Sequence, residues 1–576
     1  MQKLPVGLSD FKQMIEGHYY YVDKSLLLKE LIDQGAPAML IPRPRRFGKT
    51  LNLSMLRHFF EKTEADTSHL FRHLKIWQAG EEYTGKQGKY PVIFLTFKDV
   101  KEASWESARN KIKRLIQEEF LRHDYLRKEG NLKAEELNSF NAITNLTSDQ
   151  SAFEDSIKNL CLYLARAHNQ KVILLIDEYD TPIQAGYVNG YYAEIVGFMR
   201  NFLSGGLKDN SALEKGVLTG IMRVAKESIF SGLKNLGVFT LLRSEFSTAF
   251  GLTEAEVEQA LRDFQIAEQY DKIKSWYNGY ILGGHVIYNP WSIINYLNSA
   301  DKKFRPYWLH TSDNALIEQL LTRGGKELRL ELESLLAGES IEKPVEENIV
   351  FAEVEKREEY LWSFLLFGGY LKCIDTRVDE LDPTLTLAQL CIPNLEVRGM
   401  FTRLIKNWFH DRIAQEKLRV MLQALVEGKL EDFARLFREM VLQIFSSHDF
   451  SGESEKVYQA FVIGLLVWLA GRYEVKSNRE SGYGRYDVML IPRDPGAAGI
   501  ISEFKKVNLK RRETKERAIA KAFQQIEEKN YAAELQQRGV QQIRKLAIVF
   551  KGKQVWVHEQ SVKSRAQKKK GERRKA

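Results

Sequence analysis

The sequence is poor in cysteine and has no long apolar run. Three cysteines in 576 residues, at positions 161, 373 and 391, are too few and too far apart for a disulfide framework or a zinc site. The longest apolar run, residues 461–470, contains a glycine and is too short to cross a membrane. The first residues lack the apolar segment of a signal peptide. These absences exclude secreted disulfide-rich and membrane-spanning classes and predict a cytoplasmic protein with no membrane partner.

Positive charge is concentrated at the end of the chain. The net charge is +9, but residues 559–576 contain eight Lys or Arg against two Glu. The rest of the chain is therefore nearly balanced. We expect this tail to be disordered, either binding phosphate backbones nonspecifically or forming a solvated extension.

A short apolar strand followed by Gly48, Lys49 and Thr50 is the first motif with a defined chemistry. Residues 40–50 have the pattern of a strand, a tight turn and a helix start, where free backbone N–H groups and the helix dipole bind phosphates. Lys49 would reach the β- and γ-phosphates of a nucleotide, and Thr50 would ligate Mg²⁺. The standard pattern has glycine at the position of Arg43, so an ordinary basic turn is the competing interpretation.

Two carboxylates that follow a buried strand favour the nucleotide interpretation. The continuous apolar runs at residues 90–97 and 172–176 are typical of strands in a parallel sheet, and Asp177 and Glu178 end the second run. Ligands gather at the carboxyl ends of such strands. Asp177 would then hold Mg²⁺ through water, and Glu178 would orient or deprotonate an attacking water. The alternative is a pair of exposed acids in a turn.

Another short apolar strand with a polar end lies at residues 216–223. In ATPases with an extra strand between the two phosphate motifs, the next strand carries a polar residue that senses the γ-phosphate. Thr219 fits this role, and Arg223 would be a charge-stabilising contact in cis or in trans. Packing or surface roles are open for both residues.

A second group of candidate catalytic residues lies near the C-terminus. Asp487 opens one strand of a predicted hairpin, and Glu503 and Lys505 lie two residues apart on the next strand, so both point to one face. Two carboxylates, completed by the helical acid Glu455, hold a divalent metal, and the ammonium steadies a negative transition state. This predicts phosphodiester hydrolysis; the alternative is a solvent-facing salt bridge.

The motifs together resemble two known families. Residues 22–25, 43–51, 176–180 and 218–221 look like the bacterial AAA-ATPase-like family, in which Arg at position 43 is usual. Residues 481–487, 503–505 and 525–531 are similar to the PD-(D/E)XK nuclease domain commonly fused to it.

This resemblance implies site residues as well as a fold. Asp487, Glu503 and Lys505 would form the nuclease core, with Glu455 as the helical acid and Gln525 as a supporting residue. Relatives often have His after the helical Tyr, whereas here Gln459 follows it. The difference concerns the handling of water or the leaving group. The metal site is unaffected.

The predicted fold is α/β throughout. It comprises a P-loop parallel sheet with a helical lid, a helical or winged-helix-like middle region, and a C-terminal PD-(D/E)XK nuclease-like domain. The domains are a P-loop ATPase over 1–250, the lid over 251–335, the linker over 336–440, the nuclease-like domain over 441–558, and the basic tail over 559–576.

The predicted function is ATP binding and hydrolysis coupled to a metal-dependent nuclease. The cofactors are ATP and Mg²⁺, with Mn²⁺ as an alternative at the nuclease site, and the partner is nucleic acid, DNA in preference to RNA. The alternative is a signalling or scaffold ATPase whose C-terminal fold binds DNA or protein without cutting. Homo-oligomer formation and the roles of Arg43, Arg45 and Arg46 stay open.

Overall fold

In the computed structural model, the chain folds into two units. The N-terminal unit comprises Met1–Ile317 and Glu342–Val397, and the C-terminal unit comprises Glu318–Ile341 and Arg398–Ala576. The structure describes residues 2–128, 130–224, 235–309, 317, 320–321, 326–349, 354, 358–410, 415–444, 462, 466, 469, 471–477, 480–481, 484–485, 487–494, 496–507, 513–551 and 554–562.

A five-stranded parallel sheet forms the centre of the N-terminal unit. Its strands, in spatial order, are β2 (Val92–Thr96), β3 (Val172–Asp177), β4 (Leu213–Gly220), β1 (Ala38–Pro42) and β6 (Leu236–Val238). Strands β1 and β3 are buried at every position, as their continuous apolar runs require. Strand β4 lies between the two motif-bearing strands, so the carboxyl ends of β1, β4 and β3 are adjacent.

Helices surround this sheet. They are α1 (Phe11–Glu16), α2 (Leu26–Asp33), α3 (Lys49–Phe60), α4 (Glu81–Thr84), α5 (Trp105–Arg122), α6 (Ala134–Thr144), α7 (Gln150–Glu154), α8 (Ser156–His168), α9 (Thr181–Asn189) and α10 (Tyr192–Leu207). The apolar positions of α3 are buried, as their helical spacing predicts.

The segment after the sheet is helical with one small antiparallel sheet. It comprises β7 (Leu252–Thr253), α11 (Glu254–Asp263), α12 (Tyr270–Tyr277), β8 (Tyr280–Leu282), β9 (His285–Tyr288) and α13 (Pro290–Asn298). A capping box of Thr253 and Glu256 starts α11, and Asn289 with Pro290 starts α13. These residues fall within the predicted lid.

The predicted linker region contains short strands and helices. Helix α14 (Lys326–Ala337), most of which lies in the predicted lid, is followed by β10 (Ile341–Pro344), β11 (Asn348–Ile349), α15 (Glu358–Phe367), β12 (Lys372–Val378), β13 (Thr386–Cys391) and α16 (Leu395–His410). Strands β10, β13 and β12 form one sheet, and β11 pairs with β5 (Arg223–Val224). The two units divide this region between them, and the predicted domain bounds stay predictions.

A mixed five-stranded sheet with helices on both faces forms the C-terminal unit. Its elements are α17 (Gln415–Glu427), α18 (Leu430–Ile444), β14 (Tyr473–Ser477), β15 (Glu480–Ser481), β16 (Gly484–Arg485), β17 (Val488–Pro492), β18 (Gly499–Lys506), α19 (Lys515–Glu528), α20 (Ala533–Gln537), β19 (Ile543–Lys551) and β20 (Gln554–Val562). The strand order is β14-β17-β18-β19-β20, and only β18 and β19 are parallel. The predicted α/β fold class is confirmed in both units. In the part of the chain that the structure describes, no helix is long and apolar enough to cross a membrane.

A buried carboxyl group connects the lid with the start of α16. Glu396 is 1% exposed and accepts hydrogen bonds from the Ser292 hydroxyl at 2.8 Å and the Trp308 backbone N–H at 2.6 Å. Burial raises the pKa of Glu396 to about 7. The folded chain therefore retains a proton that the unfolded chain releases. The stability from this proton is complete below the ordinary pKa of about 4.5 and is lost as the pH rises through 7.

We therefore expect Glu396→Gln to stabilise the protein at pH 8 by about 2 kcal/mol. The neutral amide keeps hydrogen-bonding capacity without the cost of a buried charge. Thermal unfolding at pH 4 and pH 8 measures the change in stability. The control is Glu258→Gln, because the Glu258 side chain on α11 is exposed. Equal effects of Glu396→Gln at both pH values would contradict the prediction.

Candidate functional site

The loop between β1 and α3 has the geometry of a phosphate-binding turn. Gly48, the N-cap of α3, has φ +85°, and Arg46 has φ +67°, so two left-handed residues turn the chain into the helix. The Lys49 side chain is folded back into the loop, where its Nζ donates to the carbonyls of Arg43 and Pro44 at 3.1 Å each. Burial lowers the pKa of Lys49. Anionic phosphate oxygens are better partners for this ammonium than carbonyls.

Arg43, at the position where the standard motif has glycine, supports the loop from below. Its side chain is fully buried, and its guanidinium donates to the carbonyls of Pro42 at 2.8 Å, Phe239 at 2.7 Å, Glu245 at 3.3 Å and Phe246 at 3.1 Å. Burial lowers the pKa of Arg43 to about 9. These contacts make Arg43 a structural residue whose side chain points into the protein.

Asp177 lies at the carboxyl end of β3 and accepts hydrogen bonds from three hydroxyls. Thr50 donates at 2.7 Å, Thr219 at 2.6 Å and Thr96 at 3.4 Å. Burial raises the pKa of Asp177. The three threonines come from the start of α3 and the ends of β4 and β2, so the parallel sheet brings together the predicted residues Thr50, Asp177 and Thr219. Thr96 was not predicted as a site residue, because its only signal in the sequence is its place near the end of an apolar run.

The turn after Asp177 carries two further acids. Glu178 has φ +50° and accepts a hydrogen bond from the Thr181 hydroxyl at 3.3 Å. Asp180 is fully buried and accepts from the backbone N–H groups of Ile221 at 2.9 Å and Met222 at 3.3 Å. Burial raises the pKa of Asp180 to about 6. Asp180 was not predicted as a site residue, although it belongs to the same acidic motif.

A cavity of about 440 Å³ lies over the phosphate loop. It is lined by the phosphate loop, by the turn after β3, by the segment that precedes β1 (the lead-in) and by the predicted lid. The lining residues include Gly48, Lys49, Thr50, Glu178, Pro5, Leu8, Tyr20, Val22, Ala260, Trp291, Ile294 and Leu297. Its volume and mixed polar and apolar lining suit a nucleotide.

Two contacts join the walls of this cavity. The Lys24 ammonium of the lead-in donates to both carboxylate oxygens of Glu256 on α11, at 2.8 and 2.6 Å. The Arg46 guanidinium lies over the Trp291 ring of α13, 4.3 Å from its centre. Charge pairing and cation–π stacking therefore join the lead-in and the loop to the lid.

Arg223 lies on a different strand from the other predicted residues of the nucleotide site. It belongs to β5, which pairs with β11 through Asn348. Among the described residues that line the cavity, Arg223 does not appear. Its predicted contact with the nucleotide stays a prediction.

In the C-terminal unit, the predicted nuclease residues share one face of the mixed sheet. Along β18, Ile500 and Phe504 pack beneath α17 and α18, whereas Ile501 packs against α19 and α20. Since side chains alternate along a strand, Glu503 and Lys505 point to the face that α19 covers. Lys505 Nζ donates to Glu503 Oε1 at 3.0 Å, and Glu503 is fully buried. Because Glu503 is buried and Lys505 is only partly exposed, this pair differs from a solvent-facing salt bridge.

The Asp487 carboxylate is hydrogen-bonded to the backbone of the same strand. Its Oδ2 accepts from the Phe504 N–H at 2.7 Å, which places it at the end of the β17–β18 hairpin. From α19, Gln525 donates to the Tyr531 hydroxyl at 3.1 Å. Burial and the charges of Glu503 and Asp487 raise the pKa of Tyr531. Tyr531, which was not predicted as a site residue, therefore lies close to these carboxylates.

Two carboxylates and a lysine fit a divalent metal site in part. Asp487 and Glu503 supply the oxygen ligands that Mg²⁺ and Mn²⁺ prefer. Within the described ranges, no group of three or more His, Cys, Asp or Glu is placed to hold a metal ion. Glu455 and Gln459 lie outside the described residues, so the predicted third ligand stays a prediction.

Comparisons with known proteins match two segments of the chain to known families. Residues 5–230 match the family model described as "Predicted AAA-ATPase", and residues 453–560 match that of the PD-(D/E)XK nuclease superfamily. A protein of Azotobacter chroococcum mcd 1, described as "Uncharacterized protein in vnfD 5'region", is 27% identical over 557 residues, which cover 93% of this chain and 94% of the relative. The chain therefore joins an AAA-ATPase-like domain to a C-terminal PD-(D/E)XK nuclease superfamily domain.

Proposed function

We propose that this protein hydrolyses ATP and uses the nucleotide state to control a metal-dependent nuclease that cuts nucleic acid, DNA in preference to RNA. One observation carries the proposal: a single chain has a phosphate loop facing strand-end carboxylates and, separately, an Asp, a Glu and a Lys on one face of a mixed sheet. Both arrangements suit phosphate chemistry.

Each residue of the proposed ATP site has a separate role. Lys49 contacts the β- and γ-phosphates after leaving the loop carbonyls. Thr50 and Asp177, whose oxygens lie 2.7 Å apart, have the oxygen donors that suit Mg²⁺, which when bound offsets phosphate charge. Thr219 senses the γ-phosphate through Asp177.

Glu178 is the proposed base for hydrolysis. It lines the cavity beside the phosphate loop. Water oxygen bonds to the γ-phosphorus while the bond from phosphorus to the bridging oxygen breaks, and the electron pair of that bond leaves on ADP. Glu178 takes the proton of the water.

The nuclease site performs the same type of displacement on a phosphodiester. Asp487 and Glu503 would hold a divalent metal, which when bound polarises the phosphate. Lys505 orients water and stabilises the added negative charge, while Gln525 and Tyr531 support the carboxylates. The oxygen of water bonds to phosphorus while the bond from phosphorus to the ester oxygen breaks. The attacking water releases one proton to solvent, and the leaving ester oxygen takes up one proton from solvent.

Incubation of the purified full chain with Mg²⁺ or Mn²⁺ and single- and double-stranded DNA and RNA tests this proposal. Reactions without nucleotide, with ATP and with ADP are compared, while phosphate release is followed. Metal-dependent cleavage that changes with the nucleotide supports the proposal. ATP turnover with binding but no cleavage of any substrate favours the scaffold ATPase instead.

A further inference from the structure

We propose that Arg45 contacts the γ-phosphate of the bound nucleotide and stabilises its developing charge during hydrolysis, with Gln184 as its positioning residue. This inference rests on the proposed ATPase function and adds a catalytic cation to it. Arg45 belongs to the phosphate loop, so it would act in cis, within the same chain as Lys49.

The three arginines of the loop are placed differently. Arg43 is buried and bonded to four carbonyls beneath the loop. Arg46 stacks on Trp291 of the lid. Arg45 is half-buried, lines the cavity, and is close enough to Lys49 to disfavour the charge of that ammonium. A phosphate between these two cations would relieve their repulsion.

Helix α9 holds Arg45 on the side of the cavity where hydrolysis is proposed. Arg45 Nη2 donates to Gln184 Oε1 at 3.2 Å. Gln184 lies one turn after Thr181, the residue that bonds Glu178. The guanidinium is therefore anchored to the helix that begins directly after the proposed base.

The orientation of Gln184 follows from its second partner. Its Nε2 donates to Asp180 Oδ2 at 3.1 Å. A carboxylate only accepts hydrogen bonds, so the amide nitrogen of Gln184 must face Asp180 and its oxygen must face Arg45. Asp180 thus fixes Gln184 in the orientation that binds a guanidinium.

Asp180 is itself fixed to the end of β4. It accepts from Ile221 and Met222, and a Cβ on Gly220 would meet its Oδ1 at 2.7 Å. Only glycine therefore leaves room for this carboxyl group beside the strand that carries Thr219. Arg45, Gln184 and Asp180 form one continuous chain of hydrogen bonds from the cavity to the backbone that directly follows β4, the strand that carries Thr219.

The test measures ATP turnover and the separate affinities for ATP and ADP in the full-length protein. We expect Arg45→Ala to lower kcat by about 100-fold or more, as loss of a transition-state cation does. It should also lower ATP affinity while ADP affinity stays within about twofold, since ADP has no γ-phosphate to contact. Gln184→Ala should give a smaller loss of kcat with unchanged ADP affinity, and Arg45→Lys should recover part of the loss.

Two further arginine variants are compared with Arg45→Ala. Arg72→Ala, an exposed arginine of the same unit, is the control for loss of positive charge. If Arg45→Ala keeps wild-type kcat, or weakens ATP and ADP binding equally, the inference is overturned. The same holds if Arg223→Ala alone causes the selective loss. If the wild-type protein neither binds nor hydrolyses ATP, the proposed ATPase function fails as well.

Discussion

Replacing Lys49 with alanine is expected to lower ATP turnover by about 100- to 1,000-fold. Its ammonium is held by two loop carbonyls in a buried position. Because Lys49 already lies in the phosphate loop, its ammonium has only to exchange these carbonyls for phosphate oxygens, and its charge then stabilises the transition state. Phosphate release under saturating ATP measures the effect, and Lys62→Ala, an exposed lysine after α3, is the control.

The same variant tests the coupling between the two activities. If ATP controls the nuclease, Lys49→Ala should also remove the difference in cleavage between ATP and no nucleotide. Cleavage that keeps its nucleotide response after ATP turnover is lost would contradict the coupling. A thermal unfolding midpoint near that of the wild type would show that the loss does not arise from misfolding.

The strands and their motif residues could be predicted because their signals are local. The apolar runs that became β1 and β3 are buried on both faces, and parallel topology alone places their carboxyl ends together. The proximity of Thr50 to Asp177 follows from that rule. The fold class was therefore predictable from pattern and topology.

Other features depend on residues distant in sequence. Thr96 reaches Asp177 only because β2 lies next to β3. Tyr531 approaches Asp487 and Glu503 only after α19 packs over β18. No short motif encodes either contact, so sequence spacing could not reveal them.

The separate roles of the three loop arginines also could not be predicted from the sequence. Their order in the sequence predicts a basic turn, yet one side chain is buried, one stacks on the lid and one is held by α9. Three of the four carbonyls that bind Arg43 come from residues about 200 positions away. Only the folded chain distinguishes a structural arginine from one that faces the cavity.

Replacing Asp487 with asparagine is expected to lower nucleic-acid cleavage by at least about 100-fold. The amide oxygen can still accept the Phe504 N–H that the carboxylate accepts at 2.7 Å, so the hairpin should stay intact. What is lost is the negative charge that, with Glu503, would hold the divalent metal. Cleavage is measured on the best substrate with Mg²⁺ and Mn²⁺, together with binding of that substrate.

Asp494 provides a matched control for Asp487. It is exposed in the turn after β17 and accepts a backbone N–H from Gly496 at 3.0 Å, so Asp494→Asn makes the same chemical change away from the proposed metal. We expect cleavage by Asp494→Asn to equal that of the wild type, while Asp487→Asn binds substrate without cutting it. Equal cleavage by Asp487→Asn and the wild type would remove Asp487 from the metal site, because no neutral amide replaces a carboxylate ligand at full activity.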